Sequence, residues 1–147
     1  MRKLGLVFVL IAIFGCEKAR VDEQMYELCR TDAGIHIFET VRLPIEQFRY
    51  GGPAFMKTWN TSGGGYRFVS DVRYLKSSKP TLQRNEFSVV RESDNKTLGT
   101  YVNYMRIGGD IFWRPGPDSS NVCPSYKDGS EDENQFFKQL FLVQSPA

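Results

Sequence analysis

The sequence is short of histidine and cysteine, two of the groups on which catalysis and metal binding most often draw. In 147 residues it has one histidine, His36, and three cysteines, Cys16, Cys29 and Cys123. A Ser–His–Asp triad or a zinc site needs several such groups fixed in space. One histidine without a closely spaced cysteine pair supplies neither. His36 and Glu39 are a weak ligand pair, because on a strand their side chains point to opposite faces. His36 therefore reads as a solvent-facing strand residue. A phosphate loop is missing as well: Gly63-Gly64-Gly65 runs into Tyr66-Arg67-Phe68 where a Walker sequence needs Gly-Lys-Ser/Thr. Asp128, Ser130, Asp132 and Asn134 alternate like a calcium loop, but Glu133 and Gln139 stand where such a loop needs glycine and a bidentate glutamate. Acidic residues at a helix start, favoured by the helix dipole, account for Glu131, Asp132 and Glu133 instead. No catalytic set, no metal and no cofactor is expected.

Long apolar runs are absent too. The longest, residues 4–14 (LGLVFVLIAIF), falls well short of the roughly 20 residues a spanning helix needs. Arg2 and Lys3 precede it and Gly15-Cys16 closes it, the order of charged, apolar and cleavage regions in a secretory signal. The ending, a small residue directly before cysteine, resembles the lipobox of bacterial lipoproteins. That resemblance implies that residues 1–15 are a lipoprotein signal peptide and that Cys16 is lipidated as the mature N-terminus. Charged, apolar-poor residues 16–24 then read as a lipidated tether, and 25–147 as a single globular domain.

Nor is there a surplus of charge. Two of the 19 Lys and Arg residues, Arg2 and Lys3, lie in the leader, so the remainder balance the 17 Asp and Glu. A nucleic-acid binder carries a clustered basic surplus, and no nucleic-acid partner is expected. Three cysteines leave one over in an exported protein. Lipidation of Cys16 removes the excess and leaves Cys29 and Cys123 as a possible pair, in a compartment where disulfides form. Closing a loop of nearly the whole domain is worth about 4–5 kcal/mol in the chain-entropy model. Two separate buried thiols would suit a reducing compartment better. A disulfide is expected, and it disfavours Cys29 as a nucleophile.

What is present reads as a mixed fold. Val21, Met25 and Leu28, with Cys29 beside them, suit one face of a short helix, stopped by Thr31-Asp32-Ala33-Gly34. Residues 35–43 alternate as one strand, with Glu39 the exception on its apolar face, and Pro44 ends it. Residues 45–50 are too short for an assignment, while 51–53 and 61–65 read as loops. Residues 66–75 put Tyr66, Phe68, Val72 and Tyr74 on one side of a strand that 77–80 ends. Residues 86–92 and 97–107 follow as strands joined by a short polar connection, which favours a hairpin. Ile111, Phe112 and Trp113 are placed as a continuation of the second arm beyond Gly108-Gly109. Residues 114–129, rich in Pro, Gly, Ser and Asp, read as a long loop held by Cys123. Ser130-x-x-Glu133 matches a capping box. Phe136, Phe137, Leu140 and Phe141 then suit an amphipathic helix, with 136–143 as a last strand the alternative.

Two resemblances remain. Cys29-x-x-Asp32-x-Gly34, Glu39-x-Val41-x-Leu43-Pro44, and Gly108-Gly109-Asp110 ahead of Ser120-x-x-Cys123-Pro124 resemble a group of small Gram-negative envelope lipoproteins that carries no assigned activity. The resemblance supports the Cys29–Cys123 link. Ser62-Gly63-x-x-Tyr66 resembles the motif of membrane-bound inhibitors of c-type lysozyme, in which the serine and tyrosine enter the enzyme's active site. Trp59 and Trp113, in or beside loops, join Ser62, Gly63 and Tyr66 as candidate partner-binding residues. The expected fold is α+β: an antiparallel sheet of four to five strands, a short N-terminal helix, a C-terminal helix and one disulfide. The expected function is a lipid-anchored envelope lipoprotein with a non-catalytic binding or structural role, facing the periplasm from the outer membrane, since Glu17 rather than aspartate follows Cys16. Its partners would be the membrane, through the anchor, and an envelope protein or lysozyme. Inhibition of c-type lysozyme, or phage exclusion, is the alternative, and a hydrolase a distant third.

Overall fold

In the computed structural model, residues 2–49, 52–55, 61–110, 116–124 and 133–144 are described, with side chains of the first helix described from Glu17 on. That helix, α1 (Arg2–Asp32), places Val21, Met25 and Cys29 at four-residue intervals, and all three are buried. It ends where Ala33 N–H donates to the Cys29 carbonyl (3.1 Å) and Gly34 takes a φ of 118°, which a residue with a Cβ rarely adopts. The helix is longer than its apolar pattern suggests. Residues 17–24, expected as a tether, lie inside it, and Glu17, Lys18 and Asp22 pair with Lys76, Asp110 and Arg106. No helix among the described residues is long and apolar enough to cross a membrane.

The single strand expected over 35–43 is two. β1 (Gly34–Ile37) and β2 (Val41–Leu43) join different sheets. Between them the N–H groups of Phe38 and Glu39 both donate to the Leu98 carbonyl, at 2.9 and 3.0 Å. Glu39, the residue out of pattern, swings to Arg91 (2.5 Å) and Lys96 (2.6 Å). A 3-10 turn (Ile45–Gln47) leads into β3 (Phe48–Arg49) and β4 (Gly52–Pro53), a minimal antiparallel pair. Next come β5 (Thr61–Gly63), β6 (Tyr66–Lys76), β7 (Thr81–Arg91), β8 (Lys96–Ile107) and β9 (Ser120–Cys123). The chain closes with α2 (Glu133–Leu140) and β10 (Phe141–Val143), which pairs in parallel with β2. Residues 136–143 thus divide between helix and strand; Ser130 of the capping box lies outside the described residues.

The main sheet has six strands in the order β1-β8-β7-β6-β5, with β9 also on β8, and every pairing is antiparallel. Two of these strands lie in segments expected as loops. β5 occupies the first half of 61–65, and β9 lies within 114–129. β1 takes the Gly99–Val102 stretch of β8 and β9 takes Tyr104–Ile107, so two short strands share one edge end to end.

Alternation along β6 to β8 makes both faces apolar, each for part of its length. On one face Leu82, Val102 and Tyr104 pack against Val21, Met25 and Cys29 of α1. On the other, Phe68, Val89, Leu98 and Tyr101 meet Phe136, Phe137, Leu140 and Phe141 from α2 and β10, together with Leu43. Burying one such side chain stabilises by about 1.5–3 kcal/mol.

Cys29, in the last turn of α1, is bonded to Cys123, at the end of β9, 94 residues away with Cα atoms 6.0 Å apart. Unreduced protein is expected to alkylate at neither cysteine and to gain both labels after reduction, read by intact mass. Cys29→Ala with Cys123→Ala should lower the urea-derived stability by about 2–5 kcal/mol.

Candidate binding surface

Residues 61–66 form the tip of a hairpin. Thr61, Ser62 and Gly63 pair with Phe68, Arg67 and Tyr66, and Gly64 and Gly65 turn the chain with φ of 61° and 85°. Positive φ at both central positions is what a two-residue hairpin with right-handed twist requires. Directly paired residues share a face, so Ser62 lies with Arg67 and Tyr66 with Gly63, on the opposite side. Tyr66 turns inward: its ring stacks on Phe55 (centroids 5.6 Å apart) and meets Phe141 edge-on (5.2 Å). A Cβ on Gly63 would come within 2.6 Å of the Phe55 carbonyl oxygen. The Ser-Gly-x-x-Tyr pattern is therefore accounted for by packing at Gly63 and Tyr66, and only Ser62 is exposed. Trp59 and Trp113, like the whole of 111–113, lie outside the described residues, and so does the side chain of Cys16 within α1.

Charged groups instead gather where α1 meets the sheet. Asp32 accepts from Arg84 Nε and Tyr104 Oη, each at 2.6 Å, and Arg84 also reaches Glu86 at 2.5 Å. The Arg84 guanidinium, then the Tyr104 hydroxyl, hold the Asp32 carboxyl below its usual range. Asp32 in return raises Arg84. Burial, then the Asp32 carboxylate, push the Tyr104 phenol up. Arg106, its side chain only 5% exposed, donates to Asp22 (2.9 Å), the Gly108 carbonyl (2.8 Å) and Ser119 Oγ (2.9 Å). Beside it Asp110 accepts from Lys18 (2.7 Å), Ser119 N–H (2.6 Å) and Ser119 Oγ (2.8 Å). The Lys18 ammonium, then the Ser119 N–H, hold Asp110 well below the carboxylate range. At the far end of the sheet Arg91, then Lys96, lower Glu39, and Arg91 lowers Asp94.

These are fastenings: each cation meets a carboxylate, and each set ties one element to another. His36 is exposed, with Nε2 3.2 Å from the Asp32 carbonyl. Among the described residues no group of three His, Cys, Asp or Glu could hold a metal ion. The accessible features are apolar. A shallow groove of about 360 Å3 is lined by Ile45, Phe48, Lys138, Phe141, Leu142 and Val143. Val72, Tyr74 and Leu75 stand exposed on the far half of β6. Sequence alternation assigns Val72 and Tyr74 to the same side as buried Phe68, and it holds, but α2 covers only the first half of that side. The chain matches no protein-family model, no curated protein and no solved structure significantly.

The lowered carboxyls set the acid response. Asp32, Glu39, Asp94 and Asp110 all titrate lower in the folded chain. Their stabilisation is full above the unfolded carboxylate range, about pH 4, and is lost as pH falls through the lower folded values. The urea midpoint is expected to fall between pH 5 and pH 2.5, and Asp110→Asn should flatten that fall while lowering the midpoint at pH 7.

Proposed function

We propose that the chain is a lipid-anchored lipoprotein of the Gram-negative envelope with a non-catalytic binding or structural role, held in the outer membrane facing the periplasm. The observation that carries this reading is the leader ending in Gly15-Cys16, followed without a spacer by residues fastened to the fold, Glu17 to Lys76 and Lys18 to Asp110. A helix rises about 1.5 Å per residue, so an anchor on Cys16 holds that end of the sheet close to the bilayer surface. The Cys29–Cys123 disulfide fits an oxidising compartment. Inhibition of c-type lysozyme draws less support, because Ser62 and Tyr66 face opposite sides of their hairpin and Tyr66 is packed on Phe55 and Phe141.

Metabolic labelling with a fatty-acid analogue tests the anchor. Wild type should take up label and Cys16→Ser should not; equal labelling of the two would overturn the reading. In a cell-wall lysis assay, the protein is expected to leave c-type lysozyme unaffected. Inhibition that Ser62→Ala abolishes would put the lysozyme-inhibitor reading in its place.

A further inference from the structure

Side-chain pairs fix how α1 lies along the sheet. In order down the helix, Lys18 meets Asp110, Asp22 meets Arg106 and Asp32 meets Tyr104. α1 therefore leaves Cys16 at the end of the sheet where β6 and β8 finish and β7 and β9 begin. Glu17, the residue after Cys16, lies 3.2 Å from Lys76. Lys76 Nζ also donates to the carbonyls of Ser78 (2.8 Å) and Pro80 (2.9 Å), which fastens the β6–β7 turn beside the start of the folded chain.

The same end carries apolar surface. Of the seven large apolar side chains exposed among the described residues, Val72, Tyr74 and Leu75 are three, and the other four are spread singly along the chain. Single exposed apolar residues are ordinary; a cluster needs a reason. Tyr74 lies opposite Gln83 and Lys76 opposite Leu82, so Leu75 is the extra residue of a bulge. A bulge re-aims side chains, and here it leaves Leu75 (47% exposed) next to Tyr74 (63%) in solvent. Cations flank the pair: the side chains of Arg73 and Lys79 are 69% and 68% exposed. The turn at the opposite end, Glu92-Ser93-Asp94-Asn95, is polar throughout.

Given the lipid on Cys16 that the proposed function supplies, we propose that Tyr74 and Leu75 enter the headgroup region of the bilayer holding the anchor. The anchor keeps that bilayer within reach of the β6–β7 turn, so the contact is intramolecular and a small apolar area suffices for it. The residue types suit a lipid surface. Tyrosine settles at headgroup level with its ring toward the acyl chains and its hydroxyl toward water. Leucine adds apolar area, and arginine and lysine meet anionic phosphates. Arg73 and Lys79 pair with Asp71 and Asp118 in the free chain. Exposed pairs of this kind contribute little, so a phosphate can take either cation at small cost. The chain then stands on the membrane in one orientation, with the Glu92–Asn95 turn away from it.

The test places a fluorophore on Ser77→Cys, in the β6–β7 turn, or on Glu92→Cys. The introduced thiol is the one that reacts, since Cys29 and Cys123 are bonded and Cys16 carries lipid. The processed chain is reconstituted in vesicles of phosphatidylethanolamine and phosphatidylglycerol that contain a lipid with a nitroxide on its upper acyl chain. The Ser77 position should be quenched and the Glu92 position should not. Tyr74→Ser together with Leu75→Ser should reduce quenching at Ser77 at least about threefold, because interfacial binding scales with buried apolar area. Near-ultraviolet circular dichroism should stay unchanged. Equal quenching at Ser77 and Glu92, or quenching that the serine pair leaves undiminished in folded protein, would overturn the proposal. Flotation separates the contact from the anchor. Wild type that fails to float with the vesicles overturns both, whereas a chain that floats with Ser77 unquenched overturns the contact alone.

Discussion

A sheet with apolar residues on both faces has to be shielded from water on both, and among the described residues α1 does this on one face and α2, with β2 and β10 beside it, on the other. β8 is where the two demands meet. Val102 and Tyr104 point to α1, Tyr101 and Leu98 to α2, and the strand pairs with β7 on one edge and with both β1 and β9 on the other. The covers are displaced along the strands: α1 lies over the Leu82 and Tyr104 end, and α2 over the Phe68 and Val89 end. Beyond the reach of either helix lie a buried polar pair and exposed apolar side chains. The Asn85–Asn103 hydrogen bond (2.7 Å) is buried between the two middle strands, and Val72 and Tyr74 stand in the open beyond α2.

The residues that carry the lipoprotein resemblance mark where these elements are tied down. Cys29 and Cys123 are bonded to each other, Asp32 holds Arg84 and Tyr104, Glu39 joins the 38–40 bend to the β7–β8 turn, and Asp110 collects Lys18 and Ser119. Gly108 and Gly109 both take φ of 84°, and Gly109 lies so near Pro80 that a Cβ would stand 3.0 Å from it. Such a set is explained by architecture alone. It says where the chain must be held together and leaves the identity of any partner to the exposed surface.

Local pattern told most where it was long. β6, β8, the second half of β7 with its hairpin, and the helix through Met25 and Cys29 followed from periodicity, and the cysteine pair from compartment and number; residues 81–85, the first half of β7, carried no assignment. The misses share a cause, which is that a neighbour distant in sequence decides them. β9 has one aliphatic residue, Val122, so it shows no alternation; it is a strand because β8 has a free edge there. The charged first turns after Cys16 look like a tether until Asp110, Lys76 and Arg106 are brought beside them. Glu39 was visible as an interruption, but only Arg91 and Lys96 explain why the strand breaks at it. Alternation likewise gives the face of Val72 and Tyr74 and says nothing about whether anything covers that face.

The disulfide divides the molecule unevenly. It encloses residues 29–123 in a covalent ring, with α1 attached at Cys29, while α2 and β10 come after Cys123 and hang from the ring as a tail. Yet that tail delivers Phe136, Phe137, Leu140 and Phe141 to the larger of the two cores. One cover is stapled to the sheet by a covalent bond, while the other is held by burial and by the β10–β2 pairing, so the second face is expected to open at the lower energy. Transient release of the tail would bare an aromatic surface on a sheet that remains otherwise intact, and amide exchange at that face would run ahead of exchange beneath α1.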